Sequence, residues 1–391
     1  MALLPTLWLA AVLTSGSARA LTAVDPPAHA PWLAADEKKG RFLLLWRGSY
    51  SPRGEEIFAA LLDDRNLALS PPVPLGRGWA VGASFDSETG KYLVAVIQPG
   101  LVWGYLLNSD GSPGPSFPIA AFRYDGPAPG AQPLVASNGR GLFLVAWTDR
   151  DDRGPNGLDV YIQWVSAQGR PVVSARPAVA TTPRAEYLSG RSLLWDPANR
   201  RFVLVWTEGD GQGLVYTFIY PDGRIAPRRR LGIPGTQPNL CLDEKRQSIL
   251  LSYESLRDRS PHYRMLDLRL RPKGPDRSLP GWRKGVDLPG CSFDPRTGTY
   301  LITWRNDFDP FFYGQFLSRS GSPLGQTFIA ARPVGFTQHS LSISRPRGGF
   351  IFVWEDNWEK GRGFRLHPVH PQQKFEPATI KPHPQPTART R

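Results

Sequence analysis

The feature that most constrains this chain is a repeat. An apolar pentad recurs as FLLLW (42–46), YLVAV (92–96), FLVAW (143–147), FVLVW (202–206), ILLSY (249–253), YLITW (300–304) and FIFVW (350–354). The pentads end 50, 51, 59, 47, 51 and 50 residues apart. A period of this size decides an architecture before any local propensity does. Ahead of each pentad stands a turn, such as DEKKG at 36–40, DSETG at 86–90 or DPRTG at 294–298. Asp, Asn, Pro and Gly suit such a position because they tolerate or pre-set hairpin dihedrals. After each pentad come a loop, a mixed strand such as DVYIQWVSA, a second tight turn such as RSGSP, and a last strand such as TFIA.

Each unit therefore reads as four short antiparallel strands, with the pentad apolar on both faces as a strand between neighbouring sheets must be. Four strands per unit of about 50 residues is the pattern of a propeller blade. The expectation is an all-β chain, a seven-bladed β-propeller with four antiparallel strands per blade, over residues 31–380. An irregular β-sandwich would not repeat the same turn chemistry, and a parallel β-helix would need shorter rungs. Seven units leave no space within this sequence for a separate hydrolase domain of about two hundred residues.

Residues 1–20, with an apolar stretch from Leu3 to Val12 and small residues at Ala18 and Ala20, read as a signal peptide cleaved before Leu21. That stretch falls short of the ~20 residues a membrane span needs. Residues 21–30 read as a flexible leader and 381–391 as a disordered tail. Because the array starts and ends in the same register, the first and last blades are expected to meet without exchanging a strand. The resulting expectation is a secreted or periplasmic monomer without stable membrane insertion. In such a compartment Cys241 and Cys291 are expected to form a disulfide. They lie two residues before Asp243 and three before Asp294, on opposite faces of equivalent strands, and facing blades present opposite faces.

The chain carries 47 Lys and Arg against 34 Asp and Glu. Its densest basic run, Arg228–Arg230, falls on the last strand of unit four, where charge discourages edge-to-edge pairing. A nucleic-acid partner is not expected; anionic polysaccharide, cell envelope or an acidic protein fits an exported basic surface better. Catalytic signals are scarce. The six His residues form no metal spacing. His367 and His370 should point to opposite faces of a strand, and TDRDDRGPNGLD (148–159) departs from the alternate-acid pattern of a calcium loop. No cofactor, metal or catalytic residue is expected.

DPRTGTYLITW from Asp294 and YGQFLSRSGSPLGQTFIA from Tyr313 resemble the tandem repeat of a group of secreted bacterial β-propeller proteins, whose units read DPxTGxYLVxW, a variable loop, YGQ, GxPxG and FIA. The resemblance spans the array, with units one, two, four and seven looser and unit five degenerate. It implies a propeller and an extracellular setting, and it carries no catalytic residues over.

Loops after the pentads and loops between units share one face of such a ring; the tight turns share the other. The long-loop face gathers twelve rings, among them Trp79, Phe122, Tyr187, His262, Tyr263, Trp282, Phe308, Phe311 and Trp358. Exposed aromatics among charges suit a sugar ring or a protein partner. The expected function is therefore a binding module for a polysaccharide or protein ligand, with Trp79, Tyr187, Trp282, Phe308 and Trp358 as ligand-binding residues. The alternative is a polysaccharide hydrolase or lyase at the channel mouth. It would need two carboxylates of separated pKa, for which Asp149, Asp307, Asp309 and Glu208 are the first candidates.

Overall fold

The computed structural model describes residues 22–24, 28–48, 55–123, 132–150, 157–173, 177–180, 185–209, 212–280, 286–306, 311–333, 340–358, 361–375 and 377. They form seven antiparallel sheets, each built on one pentad, and no helix. In blade two, for example, Ala80–Asp86, Lys91–Gln98, Leu101–Asn108 and Pro113–Ala121 pair in chain order. The inner strands touch one another around a ring, and His29–Asp36 of blade one meets Ser340–Ser344 of blade seven. The seven-bladed propeller expected from the repeat is the fold.

The pentads are apolar throughout because alternate residues enter different cores. In blade two, Tyr92, Val94 and Val96 pack towards blade one, while Leu93, Ala95 and Ile97 pack with Val145 and Trp147 of blade three. All six are fully buried. Phe42, Leu44 and Trp46 of blade one likewise pack with Ile351 and Val353 of blade seven, which closes the ring with an ordinary interblade core. A strand with two buried faces has no polar side to alternate with.

The recurrent turn aspartates do more than set dihedrals. Asp86 is fully buried and its Oδ1 accepts from the Thr89 backbone N–H at 2.9 Å and from the Thr89 hydroxyl at 2.8 Å. Its Oδ2 reaches blade three, accepting from Ser137 Oγ at 2.6 Å and from Gly141 N at 2.8 Å. Asp294 repeats the device towards blade seven through Gly349 N at 2.6 Å, and Asp243 towards blade six through Arg319 at 2.9 Å. Burial alone would raise the Asp86 carboxyl; the hydrogen bonds from Ser137, Thr89 and Gly141 outweigh it and hold the pKa below the usual range.

Closure differs from the expectation. Thr22–Val24, read from the sequence as part of a flexible leader, pairs antiparallel with Phe364–Leu366 and supplies the outermost strand of blade seven. The ring is thus latched by its first strand, which leaves no unpaired edge on the third strand of that blade over those residues. The outer strand of blade four is Arg229–Arg230, and Arg228 and Arg230 both reach Glu208, at 3.0 and 3.5 Å. Cys241 and Cys291 are joined in a disulfide between the inner strands of blades five and six, with Cα atoms 6.1 Å apart.

Candidate functional site: the axial channel and Arg191

The inner strands carry bulges at one recurring place. In blade one Ala30 and Pro31 oppose the single residue Trp46; in blade five Gln237 and Pro238 oppose Tyr253; in blade six Leu288 and Pro289 oppose Trp304. Each bulge contains a proline, which has no N–H to give to a ladder. Ala30 and Gln237 take the left-handed conformation, with φ of 48° and 54°. The bulged residue beside each proline therefore lies opposite the aromatic that closes the pentad.

Blade four enlarges this device. Its inner strand is split into Glu186–Tyr187 and Leu193–Asp196, and five residues, 188–192, stand opposite Val205 and Trp206. Neighbouring blades hold the insertion. The Leu188 N–H donates to Thr148 Oγ1 of blade three at 3.2 Å, and the Arg191 N–H donates to Asn239 Oδ1 of blade five at 2.8 Å. The Leu240 N–H donates in turn to the Arg191 carbonyl at 3.0 Å. Gly190 is required twice over: its φ is +60°, and a Cβ there would come within 2.3 Å of the Asn239 side chain.

The insertion sends the Arg191 side chain across the channel to the opposite wall. The guanidinium donates to the Leu33 carbonyl of blade one at 2.9 Å and to the Ser342 carbonyl of blade seven at 3.1 Å. Its carbon lies 5.2 Å from the centroid of the Trp32 ring. Among the described residues no carboxylate pairs with it, and burial pulls its pKa down to about 10, so it stays charged at neutral pH. Two of five guanidinium N–H groups are accounted for by these carbonyls.

Arg191 divides the channel. On the turn side lies a cavity of about 230 Å³, bounded among others by Trp32, Ala35, Ser84, Phe85, Leu134 and Leu240; Arg191 is the charged residue of its described lining. On the loop side a smaller space of about 60 Å³ is bounded by residues that include Pro31, Gln132, Gly190, Asn239 and Ser340. Glu37 and Glu244 stand at turn tips of blades one and five, and although those blades are not adjacent the two charges repel each other across the turn side of the ring. The concave surroundings, and then the Glu244 charge, raise the Glu37 carboxyl above its ordinary value.

Three of the described rings expected on the loop face, Trp79, Phe122 and Tyr263, are buried instead. Trp79 is buried in the core between blades two and three, its N–H donating to Ile97 O at 2.8 Å and its carbonyl accepting from Arg47 at 2.6 Å. Phe122 shares that core, and Tyr263 is buried between blades five and six. Trp79 and Phe122 serve interblade packing because a connection between blades passes directly over the seam, and Tyr263 because it stands on a strand of blade five, Pro261–Asp267, that faces blade six. Tyr187 is half-buried beside the Arg191 insertion, opposite Thr207. Trp358 ends a strand opposite Gly361 rather than standing in a long loop; its side chain lies outside the described residues, as do Trp282 and Phe308 entirely.

The acids singled out from the sequence are held as structural groups where described. Asp149 accepts from the Arg123 N–H with both oxygens, at 3.0 and 3.1 Å, and Glu208 is paired with Arg228 and Arg230. Asp307 and Asp309 lie outside the described residues. The 148–159 loop is described only at its ends, where Asp149 faces Asp159 across the strand pair. His367 is buried with its ring edge-on to Trp354. No cluster of His, Cys, Asp and Glu able to hold a metal occurs among the described residues.

On blade five, His262 is clamped at both nitrogens, by Asp276 and by Asp258, each at 3.1 Å, and the Tyr253 hydroxyl donates to Asp276 at 2.7 Å. Burial opposes charge on this imidazole, but the two aspartates prevail and its pKa is raised. With neither nitrogen free, the ring is a loop clamp rather than a general base.

The sequence reading missed Arg191. Its signal was present in the longest pentad spacing, 59 residues between Trp147 and Trp206, part of which is the insertion. No protein-family model matches the chain, and no curated sequence does. Among solved structures it is similar to an oligogalacturonate lyase in complex with manganese, with a TM-score of 0.57 and 10% identity over 91% of this chain and 94% of that one. It is similar to the β-propeller domain of Cps50 (Swd1) from Myceliophteria thermophila, with a TM-score of 0.55 and 10% identity over 89% and 99% of the two chains. It is also similar to hydrazine synthase from Kuenenia stuttgartiensis, with a TM-score of 0.59 and 11% identity over 92% and 99%. Proteins with such different names share the architecture, so at this identity what the likeness carries is the fold of a seven-bladed propeller and nothing of its chemistry.

Proposed function

We propose that this protein is an exported β-propeller that works by binding, recognising a polysaccharide or protein ligand on its long-loop face without transforming it. What supports this reading is the state of the acids. Every buried Asp and Glu among the described residues has a partner within the chain, and most of those partners hold turns or neighbouring blades. Acid–base cleavage of a glycosidic bond needs two carboxylates free to exchange protons with substrate. The loop-face connections vary from the single residue Trp79 between blades one and two to the twelve of 122–133 between blades two and three, as loops that carry recognition do on a rigid scaffold. A glycan array read beside a reducing-sugar release assay tests the proposal: retention of a polymer without release is expected, and release overturns it.

One observation favours a second reading, a polysaccharide hydrolase or lyase at the channel mouth. Glu37, raised, opposes Glu244 there, which is the pairing such chemistry uses. Both are exposed at turn tips, on the face opposite the long loops. Release abolished by Glu37→Gln would establish this reading in place of the first.

A further inference from the structure

The turn-side cavity is a built space with a charge at its floor. A guanidinium held by two backbone carbonyls and an aromatic face, without a carboxylate partner among the described residues, retains N–H donors and an uncompensated positive charge. Such a group in a concave, partly desolvated site favours an anion far more than it would at an open surface. It is also costly to maintain, since an isolated buried charge destabilises the fold that holds it. Here the fold sets five residues opposite two, with a glycine at φ +60° and hydrogen bonds to two neighbouring blades, to place it. A strut joining blades four, one and seven would need no cavity beside it; this one borders a space of about 230 Å³.

The planar fork of Arg matches a carboxylate through two parallel hydrogen bonds. The opposing acids at the mouth act in the other direction. A cationic group at a ligand's outer end would relieve the repulsion between Glu37 and Glu244. We propose that the turn-side cavity binds a compact ligand bearing one carboxylate, seated on Arg191, with an outer end that is neutral or cationic. From Leu33, where Arg191 anchors, to the strand's end at Asp36, just before Glu37, is three steps, about 10 Å of channel at ~3.3 Å per residue, which suits a ligand of monosaccharide to dipeptide length. This site lies on the face opposite the long loops and stands independently of the ligand proposed there.

Isothermal titration of the full chain at low salt with hexanoate, 6-aminohexanoate and hexylamine tests it. Saturable binding is expected for both carboxylates, tighter for 6-aminohexanoate, and none for hexylamine. Arg191→Met should weaken both carboxylates at least tenfold. Ser84→Trp, which fills the cavity from a partly exposed wall position and leaves Arg191 in place, should do the same even if Arg191→Met does not fold. Glu37→Gln should narrow the gap between 6-aminohexanoate and hexanoate. Absence of carboxylate binding, equal binding of hexylamine, or full affinity in Ser84→Trp would overturn the proposal. Polymer retained on the array without hexanoate binding would remove this site and leave the loop-face reading intact.

Discussion

The inner strands of blades two and four line one channel and are built on opposite rules. Ala80–Asp86 pairs without a bulge along its length and ends in a buried aspartate whose hydrogen bonds satisfy its charge and reach the next blade. The corresponding strand of blade four is broken by five residues, and the charge it places on the axis meets carbonyls and a ring rather than a counter-ion. Compensated charge at a repeated position is a joint of the ring. Uncompensated charge at a unique position is where a repeat protein departs from its own pattern, and such departures concentrate at functional sites.

The largest effect should come from breaking the compensated side. Asp86→Ala orphans four donors at a seam, and at roughly 1–3 kcal/mol for a buried unsatisfied group, partly relieved by water, the loss should be about 3 kcal/mol in a denaturant titration. The sign with pH follows from the lowered pKa. The contribution of Asp86 is present above the unfolded carboxyl value near 4 and fades as pH falls through the folded one, so wild type should lose its advantage over the variant in acid. A destabilisation under 1 kcal/mol would mean that the turn aspartates are not joints.

Next in size is the latch. A chain beginning at residue 26 lacks Thr22–Val24 and leaves the third strand of blade seven with a bare edge. A loss of about 2 kcal/mol is expected from the missing ladder hydrogen bonds, at ~1 kcal/mol each, seen as a lower Tm and faster proteolysis near Phe364. An unchanged Tm would show that the interblade core between blades seven and one closes the ring by itself.

Two glycines then separate backbone strain from crowding. Gly90 and Gly190 have φ of +67° and +60°, but only Gly190 has a neighbour in the way. Gly90→Ala should cost about 1 kcal/mol from the left-handed conformation alone, and Gly190→Ala roughly twice that. Gly190→Ala should also displace Arg191 and abolish hexanoate binding, whereas Gly90→Ala should leave binding untouched. Equal behaviour of the two would erase the distinction between blades two and four.

The smallest effect belongs to His262, a charge held by two carboxylates near the surface. Its raised pKa means that its stabilisation is complete below the unfolded value near 6.5 and is lost as pH rises through the folded one. Partial exposure screens the pair, so the advantage of wild type over His262→Gln should be a few tenths of a kcal/mol at pH 6 and absent at pH 9. A difference constant with pH would point to packing against Tyr253 instead of charge.

The blades were legible because a strand buried on both faces must be apolar at every position, and seven such strands at near-constant spacing admit few other folds. That Cys241 and Cys291 could reach each other was legible from their offset in equivalent strands, since a shift of one residue moves a side chain to the other face of a strand. The ring surface was not legible in the same way. Trp79 and Phe122 stand beside Gly, Arg and Ala in sequence, with no hint there that a connection between blades lies over a hydrophobic seam. Thr22–Val24 has no repeat signature, because its partner strand lies more than three hundred residues away.

The sequence by itself determined the number of blades, the strands within them and the chemistry of their turns, since each follows from contacts within one unit or between neighbours that repeat. Only the tertiary structure decided what lies on the axis. Arg191 meets Leu33 and Ser342, 158 and 151 positions away in the chain, and a side chain that spans a ring has its partners set by closure, which no local pattern of residues can encode.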